Sequence, residues 1–236
     1  MLTRSKGLLF GILLAFLASG CATTADKDPL EGFNRGVYKF NDVADKAVLK
    51  PVAGAYKAVV PSPVRSGVGN FFGNLNTFVS VINDILQFKF GKAVEGAGRF
   101  VINSTFGIAG LIDVASMDGI EKRNEDFGQT LGYWGVGSGP YIVLPFLGPS
   151  NLRDTTGFVV DTLAFDPITY VDDPATRNSA RALKYLDKRA QLLPGSDLLD
   201  EAALDPYAFM RDAYSQRREN QIHDGNVPEL EEDSYN

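Results

Sequence analysis

The residue with the plainest chemistry in this chain of 236 amino acids is its single cysteine, Cys21. It follows three small residues at 18–20, an apolar run at 8–17, and two basic residues near the start, Arg4 and Lys6. A basic beginning, a short apolar run and a small-residue cleavage site are the layout of an export signal. The run is about half the length that a membrane-spanning helix needs, so we expect the segment to be removed rather than retained.

A cysteine directly after such a cleavage site can carry lipid. The arrangement resembles the bacterial lipobox, in which the thiol is diacylated and the new amino terminus is acylated after cleavage. An ordinary export signal with a chance cysteine is the alternative, although a lone thiol is a liability in an oxidising compartment. Two acyl chains hold a protein stably on a membrane, at about 0.8 kcal/mol per buried methylene. We therefore predict a lipoprotein signal peptide over residues 1–20, lipidation of Cys21, and a lipidated tether over residues 21–27.

Residues for catalysis or metal binding do not form a recognisable set. The only histidine, His223, lies in an acidic C-terminal stretch, which removes the usual general base. A nucleophile elbow requires glycine two positions before and two positions after its serine, where Ser138 has Val136 and Pro140, and the segment 135–139 does not fit a dinucleotide-binding loop. Helix capping explains the two carboxylates at 172–173. We expect no enzyme, no metal and no cofactor beyond the acyl groups, although a dyad assembled from distant residues is invisible in a sequence.

Charge and composition bear on partners and on domain organisation. Loss of residues 1–20 removes two basic residues and no acidic ones, which lowers the formal net charge from −6 by two. An acidic chain is poorly suited to neutralise phosphates of a nucleic acid, so we expect no nucleic-acid partner. Residues 219–236 are acidic and poor in apolar side chains, which predicts a disordered tail. Residues 28–218 contain no repeat and no linker, which predicts a single helical domain.

The elements that would position a site are mainly helices. Asp28, Pro29 and Glu31 have the spacing of a helix start, with Asp28 as the capping residue. In the segment 71–90 the apolar residues cover an arc of about 200° at 3.6 residues per turn, about twice the stripe of a soluble surface helix. The remaining narrow face is a line of neutral polar residues, which we call the polar line: Asn76, Ser80, Asn83 and Gln87.

Two interpretations fit the polar line. In a soluble core it would be the wet seam of a central helix. In a bilayer, lipid would surround the apolar arc, and the polar line would face other helices or a lumen filled with water. Asp84 and Lys89 exclude a simple membrane span, but a helical body within one leaflet would tolerate both at its edges.

The middle of the chain predicts a short hairpin. Gly135, Gly137 and Gly139 precede a β-branched and aromatic run at 141–144, which is typical of a turn that leads into a strand. Pro145 lacks a backbone donor, so the strand cannot be central in a sheet. We therefore predict a short glycine-rich β-hairpin or folded-back loop.

A basic stripe follows on the helix that we expect to begin at Pro174. It repeats at steps of four, three and four residues: Arg177, Arg181, Lys184 and Lys188. In an acidic protein such a stripe could meet phosphate headgroups. An ordinary solvated helix face is the alternative.

Several stretches, in order along the chain, are similar to one family. They are Asp28–Arg35, Tyr38–Asn41, Asn70–Leu75, Arg99–Gly107, Gly110–Ala115, Phe127–Gly137, Gly139–Tyr141, Leu144–Phe146, Leu152–Asp154, Arg189–Leu193 and Asp205–Tyr207. On these stretches the chain resembles the MlaA (VacJ) outer-membrane lipoproteins, and the likeness extends from the lipid site to about residue 218.

The resemblance implies a mainly α, ring-shaped, membrane-embedded assembly with a short hairpin. It implies a place in the outer membrane of a Gram-negative bacterium, lipid-anchored on the periplasmic side, and Ala22 after the cysteine resembles the sorting signal for that membrane. It also implies association with a trimeric porin, and a channel through which mislocalised phospholipids pass to a soluble periplasmic carrier. The polar line would wet the channel and the three hairpin glycines would allow gating. A scaffolding lipoprotein without a channel and a lipid-cleaving enzyme stay as alternatives.

Overall fold

The computed structural model describes residues 28–202 and 204–227. The predicted signal peptide, the lipidation site at Cys21 and the tether lie outside these residues. The elements in chain order are α1 (Glu31–Ala44), a π-helical turn (Asp45–Leu49), α2 (Lys50–Val59), α3 (Ser62–Leu86), α4 (Phe90–Thr105), α5 (Val114–Met117), α6 (Phe127–Tyr133), β1 (Tyr141–Leu144), β2 (Gly148–Asn151), α7 (Leu152–Val160), a second π-helical turn (Asp161–Phe165), a 3-10 turn (Pro167–Tyr170), α8 (Pro174–Ala202) and α9 (Pro206–Ile222). The mainly α class with one short hairpin is confirmed.

The hairpin is held by asparagines of α1. β1 and β2 pair antiparallel, with Tyr141 opposite Asn151. On the outer edge of β1, the Asn34 amide donates to the Tyr141 carbonyl at 2.9 Å and accepts from the Val143 N–H at 2.9 Å. Asn41 binds the carbonyl of Leu144 in the same way, at 2.9 Å. These side chains supply the hydrogen bonds that another strand would supply. The edge of β1 that does not pair with β2 is therefore covered by helix α1.

Asp28 is not the helix cap that its spacing predicts. Helix α1 begins at Glu31, and none of the side chains that the structure describes caps it. The Asp28 carboxylate instead accepts hydrogen bonds from Asn34, at 2.8 Å, and from the hydroxyl of Tyr207. Asp28 therefore joins α1 to α9 rather than capping α1. The second capping expectation is confirmed, since Asp173 accepts from the Thr176 N–H at 2.7 Å at the start of α8.

The packed elements form a closed circuit. Helix α1 packs through the first π-helical turn onto α2, α2 onto α8, α8 onto α3, and α3 onto α6. Helix α6 packs onto α9, α9 onto β2, and β1 returns to α1. This order of packing is that of a ring. Helix α4 packs along α3, and α7 packs along α6.

Helix α4 is inverted compared with a helix on a soluble protein. Phe90, Val94 and Val101 face outward and are 59%, 73% and 58% exposed. Arg99 and Asn103 face inward and are only 2% and 3% exposed. Buried polar residues and exposed large apolar residues are both the informative exceptions in a soluble domain. Among the described residues no helix is both long and apolar enough to cross a bilayer.

The predicted tail boundary at 219 is wrong. Helix α9 continues to Ile222, which is buried. Beyond it, Asp224 forms ion pairs with Lys89 at 2.8 Å and Lys92 at 2.6 Å. The acidic residue that suggested disorder is therefore a partner for cations near the start of α4. The remaining predicted tail, 228–236, lies outside the described residues.

Candidate functional site

Most of the polar line lies against the segment 123–130, which contains the start of α6. The Glu125 N–H donates to the Ser80 hydroxyl at 3.0 Å. The Gln87 amide donates to the Glu125 carboxylate at 3.0 Å and to the Thr130 hydroxyl at 3.1 Å. The Thr130 hydroxyl in turn donates to the Asn83 side-chain oxygen at 2.8 Å. We call this contact, between Ser80, Asn83 and Gln87 on α3 and the segment 123–130, the closed region.

The closed region changes the role expected of the polar line. Ser80, Asn83 and Gln87 are 3%, 0% and 1% exposed, so they present almost no surface to a lipid headgroup. The structure gives these three side chains a packing role in place of the predicted lumen-lining one. Asn76 is partly exposed, with one bond to Asn124 at 3.2 Å. For Asn76 a lumen-lining role stays a prediction.

Two aspartates beside the closed region share one arginine. Arg218 on α9 binds Asp126 at 2.7 Å and Asp154 at 2.8 Å. Desolvation by itself would raise the pKa of Asp154, but the hydrogen bonds and charge of Arg218 outweigh it and lower that pKa. The pKa of Asp126 is lowered by the same balance. Arg218 therefore ties α9 to the cap of α6 and to the first turn of α7, a link that sequence patterns do not reveal.

Three members of the basic stripe hold the turn before α8. Arg177 donates to the Val171 carbonyl at 3.1 Å, and Arg181 donates to the Thr169 hydroxyl at 2.8 Å. Lys184 forms an ion pair with Asp166 at 3.1 Å. These bonds give Arg177, Arg181 and Lys184 a structural role. A headgroup-facing role for the stripe stays a prediction.

Lys188, the fourth member, is exposed to water but has other parts of the protein close to it. Its side chain is exposed, yet desolvation by the surrounding protein lowers its pKa, with the charges of Arg217 and Lys184 adding to the effect. Tyr185 combines 48% exposure with a pKa raised by desolvation. Asp126 is also exposed at its side chain, 39%, and desolvated. These three groups therefore reach water although much of the surrounding volume is protein, and a place for them in the interior of the circuit belongs to the proposal below.

The hairpin glycines lie in an exposed loop between α6 and β1. Gly135 and Gly139 have positive φ of 86° and 66°, which favours glycine at both positions. A side chain at Gly137 would meet nothing within 4 Å. The loop is tied to α7, since the Arg153 N–H donates to the Ser138 carbonyl at 3.1 Å. The predicted short hairpin is confirmed, and gating by this loop stays a prediction.

A second polar site, which sequence patterns missed, lies between α2, α3 and α8. Here a cavity of about 400 Å³ is lined by three cations, Lys57, Arg65 and Lys122, together with Asp187. We call this cavity and its lining the open region. Its cations come from α2, α3 and a loop, so no single helical spacing joins them. The one signal in the sequence is the pair Gly69 and Gly73, four residues apart inside a helix where glycine is unfavourable.

The outer surface is rich in large apolar side chains. They occur at corners and on outward faces of α2, α3 and α4, and the most exposed include Val59 at 80%, Met117 at 75%, Val94 at 73%, Phe106 at 72% and Phe88 at 70%. A soluble monomer rarely leaves so many large apolar groups in water. A helical circuit with polar groups inside and apolar groups outside defines a protein of the kind that meets lipid.

The comparisons with known proteins identify the family. Residues 26–221 match the family model described as MlaA lipoprotein. The intermembrane phospholipid transport system lipoprotein MlaA of Escherichia coli is 38% identical, over 93% of this chain and 88% of its own length. The protein of the same name from Haemophilus influenzae is 37% identical, over 97% and 95%. This chain belongs to the MlaA lipoprotein family.

A solved structure supports the same assignment. It is described as the structural basis for maintenance of bacterial outer membrane lipid asymmetry, and it matches with a TM-score of 0.74 at 38% identity. The match covers 84% of this chain and 100% of the solved chain. An uncharacterised protein of Rickettsia bellii is also 38% identical, over 81% of this chain and 75% of its own length.

Proposed function

We propose that this protein removes mislocalised phospholipids from the outer leaflet of the outer membrane and passes them inward, which maintains lipid asymmetry. The observation that carries the proposal is the inversion of α4, with apolar residues outside and Arg99 and Asn103 inside. Lipid around the circuit would cover the apolar faces, and the polar groups would be kept from the hydrocarbon. The names of the relatives, which refer to intermembrane phospholipid transport, support this function.

The route that we propose runs through the interior of the circuit. Lys188 and Arg217 would attract the phosphate of a headgroup there, since both are exposed cations that lie close enough for their charges to interact. The loop at 135–139 would gate the route because backbone barriers are low at glycine.

Replacement of Gly137 with Pro should impair lipid clearance and leave membrane anchoring intact. Undiminished clearance in that variant would count against gating.

The partners and the membrane attachment are part of the same proposal. Acylation of Cys21 anchors the chain to the outer membrane from the periplasmic side. A trimeric porin holds the circuit in the leaflet, and a soluble periplasmic carrier accepts the lipid. The apolar surfaces of α4 and of the α2 and α3 corner suit lipid or a porin wall, since both are apolar at that depth. No chemical reaction is required of the protein.

A deletion strain tests this function against its alternatives. Phospholipid on the cell surface is measured with an amine-reactive probe that does not cross the membrane. We expect the deletion to raise the surface signal and the wild-type gene to restore it, whereas Cys21→Ala should fail to restore it. An unchanged signal in the deletion strain would contradict the proposal. Accumulation of lysophospholipid or free fatty acid, seen by thin-layer chromatography of lipid incubated with the purified protein, would favour a lipid-cleaving enzyme.

A further inference from the structure

We propose that the open region binds the phosphate group of a phospholipid headgroup, as a docking site distinct from the interior of the circuit. This inference rests on the proposed function and names a site for its substrate. The lining contributes three positive charges and one negative charge, from Lys57, Arg65, Lys122 and Asp187. Such an excess is unusual in a chain with a formal net charge of −6. A cavity with that balance attracts an anion.

The three cations are available to a ligand. Within residues 28–202 and 204–227, none of them forms an ion pair with a carboxylate. Arg65 donates from Nη1 to the backbone carbonyls of Lys57, at 2.6 Å, and Val60, at 2.5 Å. Those two bonds fix the guanidinium at the start of α3, and its other nitrogens can donate to a ligand. A planar guanidinium with free donors suits a phosphate, which accepts two parallel hydrogen bonds.

The single carboxylate in the lining is already bound on both oxygens. Asp187 accepts from the Tyr56 hydroxyl at 3.1 Å and from the Gln191 amide at 2.7 Å. Burial raises the pKa of Tyr56, and its hydrogen bond to Asp187 adds to the effect, so the hydroxyl stays a donor. Asp187 therefore orients Gln191 within the cavity and does not pair with the three cations.

Two glycines make room for the site on the surface of α3. A side chain at Gly69 would stand 2.8 Å from the Gln191 amide nitrogen. A side chain at Gly73 would overlap the ammonium group of Lys122. Glycine is unfavourable inside a helix compared with alanine, and its use at both positions lets the ends of Gln191 and Lys122 lie against the helix backbone.

The start of α3 adds to the positive potential. The helix is 25 residues long and begins at Ser62, which lines the cavity together with Ser66 and Asn70. The amino end of a helix carries about half a positive charge. Pro61 and Pro63 have no backbone N–H, and the Val64 N–H donates to the Pro61 carbonyl at 3.0 Å, so this helix end contributes mainly charge, and the side chains of the three cations supply most of the donors that a phosphate needs.

The position of the cavity favours a lipid over a free phosphate. Val59 and Val64 stand on either side of the turn between α2 and α3, at 80% and 54% exposed. Both lie within three residues of Ser62, which lines the cavity. Exposed apolar side chains next to a basic cavity are the arrangement of a protein at the boundary of headgroups and acyl chains. A phospholipid would place its phosphate in the cavity and its chains along the valines.

Binding by the purified, delipidated full-length protein tests the proposal. The probes are dihexanoyl phosphatidylglycerol, dihexanoyl glycerol without a phosphate, and inorganic phosphate, each titrated by calorimetry at two salt concentrations. We expect the phosphatidylglycerol to bind with a salt-sensitive affinity and the other two to bind more weakly. Lys57→Gln and Lys122→Gln should each weaken its binding by about tenfold, and Lys39→Gln, an exposed lysine on α1, should not.

Three results would overturn the proposal. One is equal binding of phosphatidylglycerol by wild type and both cavity variants. Another is binding of inorganic phosphate as tight as that of the lipid, which would make the cavity a site for a free anion. The third is equal affinity for the probe without phosphate. Failure of the proposed function is seen separately, because it would leave surface phospholipid unchanged on deletion of the gene whatever the cavity binds.

Discussion

The two halves of α3 border two different kinds of polar region, one filled by protein and one open. Its C-terminal half presents Ser80, Asn83 and Gln87, which look like the lining of a channel in the sequence and prove to be buried against another part of the chain. Its N-terminal half presents Gly69 and Gly73, which form no polar pattern, and borders the cavity with three cations that have no carboxylate partner among the described residues. A line of polar residues on a helix therefore indicates that polar groups lie against that face, and the structure is needed to determine whether those groups belong to the protein or to a ligand.

The largest effect that we expect separates the closed region from its surroundings. Arg218→Met leaves Asp126 and Asp154 without their shared cation, and the loss of one partner of a buried ion pair costs about 3–5 kcal/mol. The free energy of unfolding, measured by urea denaturation in detergent, should fall by that amount. Arg217→Met, at the exposed neighbouring position, is the control and should change it by less than about 1 kcal/mol. Equal losses of free energy in the two variants would show that Arg218 is not the link between α9 and the closed region.

A second test compares two members of the polar line. Asn83→Leu removes the partner of Thr130 and Asp161 from a site with 0% exposure, and we expect a loss of about 2–3 kcal/mol. Asn76→Leu removes one bond at a partly exposed site and should cost about 0.5 kcal/mol. The same denaturation measurement gives both values. A cost for Asn76→Leu as large as for Asn83→Leu would show that the line acts as one unit.

A third test uses the pH dependence of stability that we expect from Asp84, in the C-terminal half of α3. Burial raises the pKa of Asp84 to about 6, with the charge of Glu125 as the second cause. Because the folded state then holds a proton that the unfolded state loses near pH 4, this group's contribution to stability falls as pH rises from about 4 to 6. Asp84→Asn should therefore raise the free energy of unfolding by about 3 kcal/mol at pH 7.5 and by almost nothing at pH 4. A gain of the same size at both pH values would contradict the raised pKa.

The smallest effect on stability is expected in the open region. Lys122→Gln removes one of three neighbouring positive charges that have no carboxylate partner among the residues that the structure describes, so the free energy of unfolding should change by less than about 0.5 kcal/mol. The unfolding curve of this variant, beside that of Asn83→Leu, contrasts the two halves of α3 directly. A loss above about 2 kcal/mol would mean that Lys122 holds the fold together, and the open region would then resemble the closed one.

Local signals in the sequence predict the hairpin and the start of α8. Glycines and Pro145 mark the hairpin, and Pro174 marks the start of α8, since these residues act on their own backbone. The prediction that Asp28 caps α1 is wrong because Asp28 does not act on its own backbone: its partner Tyr207 is 179 residues away. The closed and open regions both depend on contacts between distant segments, such as Ser80 with Glu125, which no spacing along one helix encodes.

The interior route is the central claim, and crosslinking in living cells tests it most directly. A photoreactive amino acid is placed at Lys188, which lies on the proposed route, at Phe106, an apolar residue that is 72% exposed, and at Lys39 as an exposed control on α1. We predict that light links labelled phospholipid to positions 188 and 106 and not to position 39. Crosslinking at position 106 with none at position 188 would show a protein that touches lipid only from outside, and would contradict transport through the circuit.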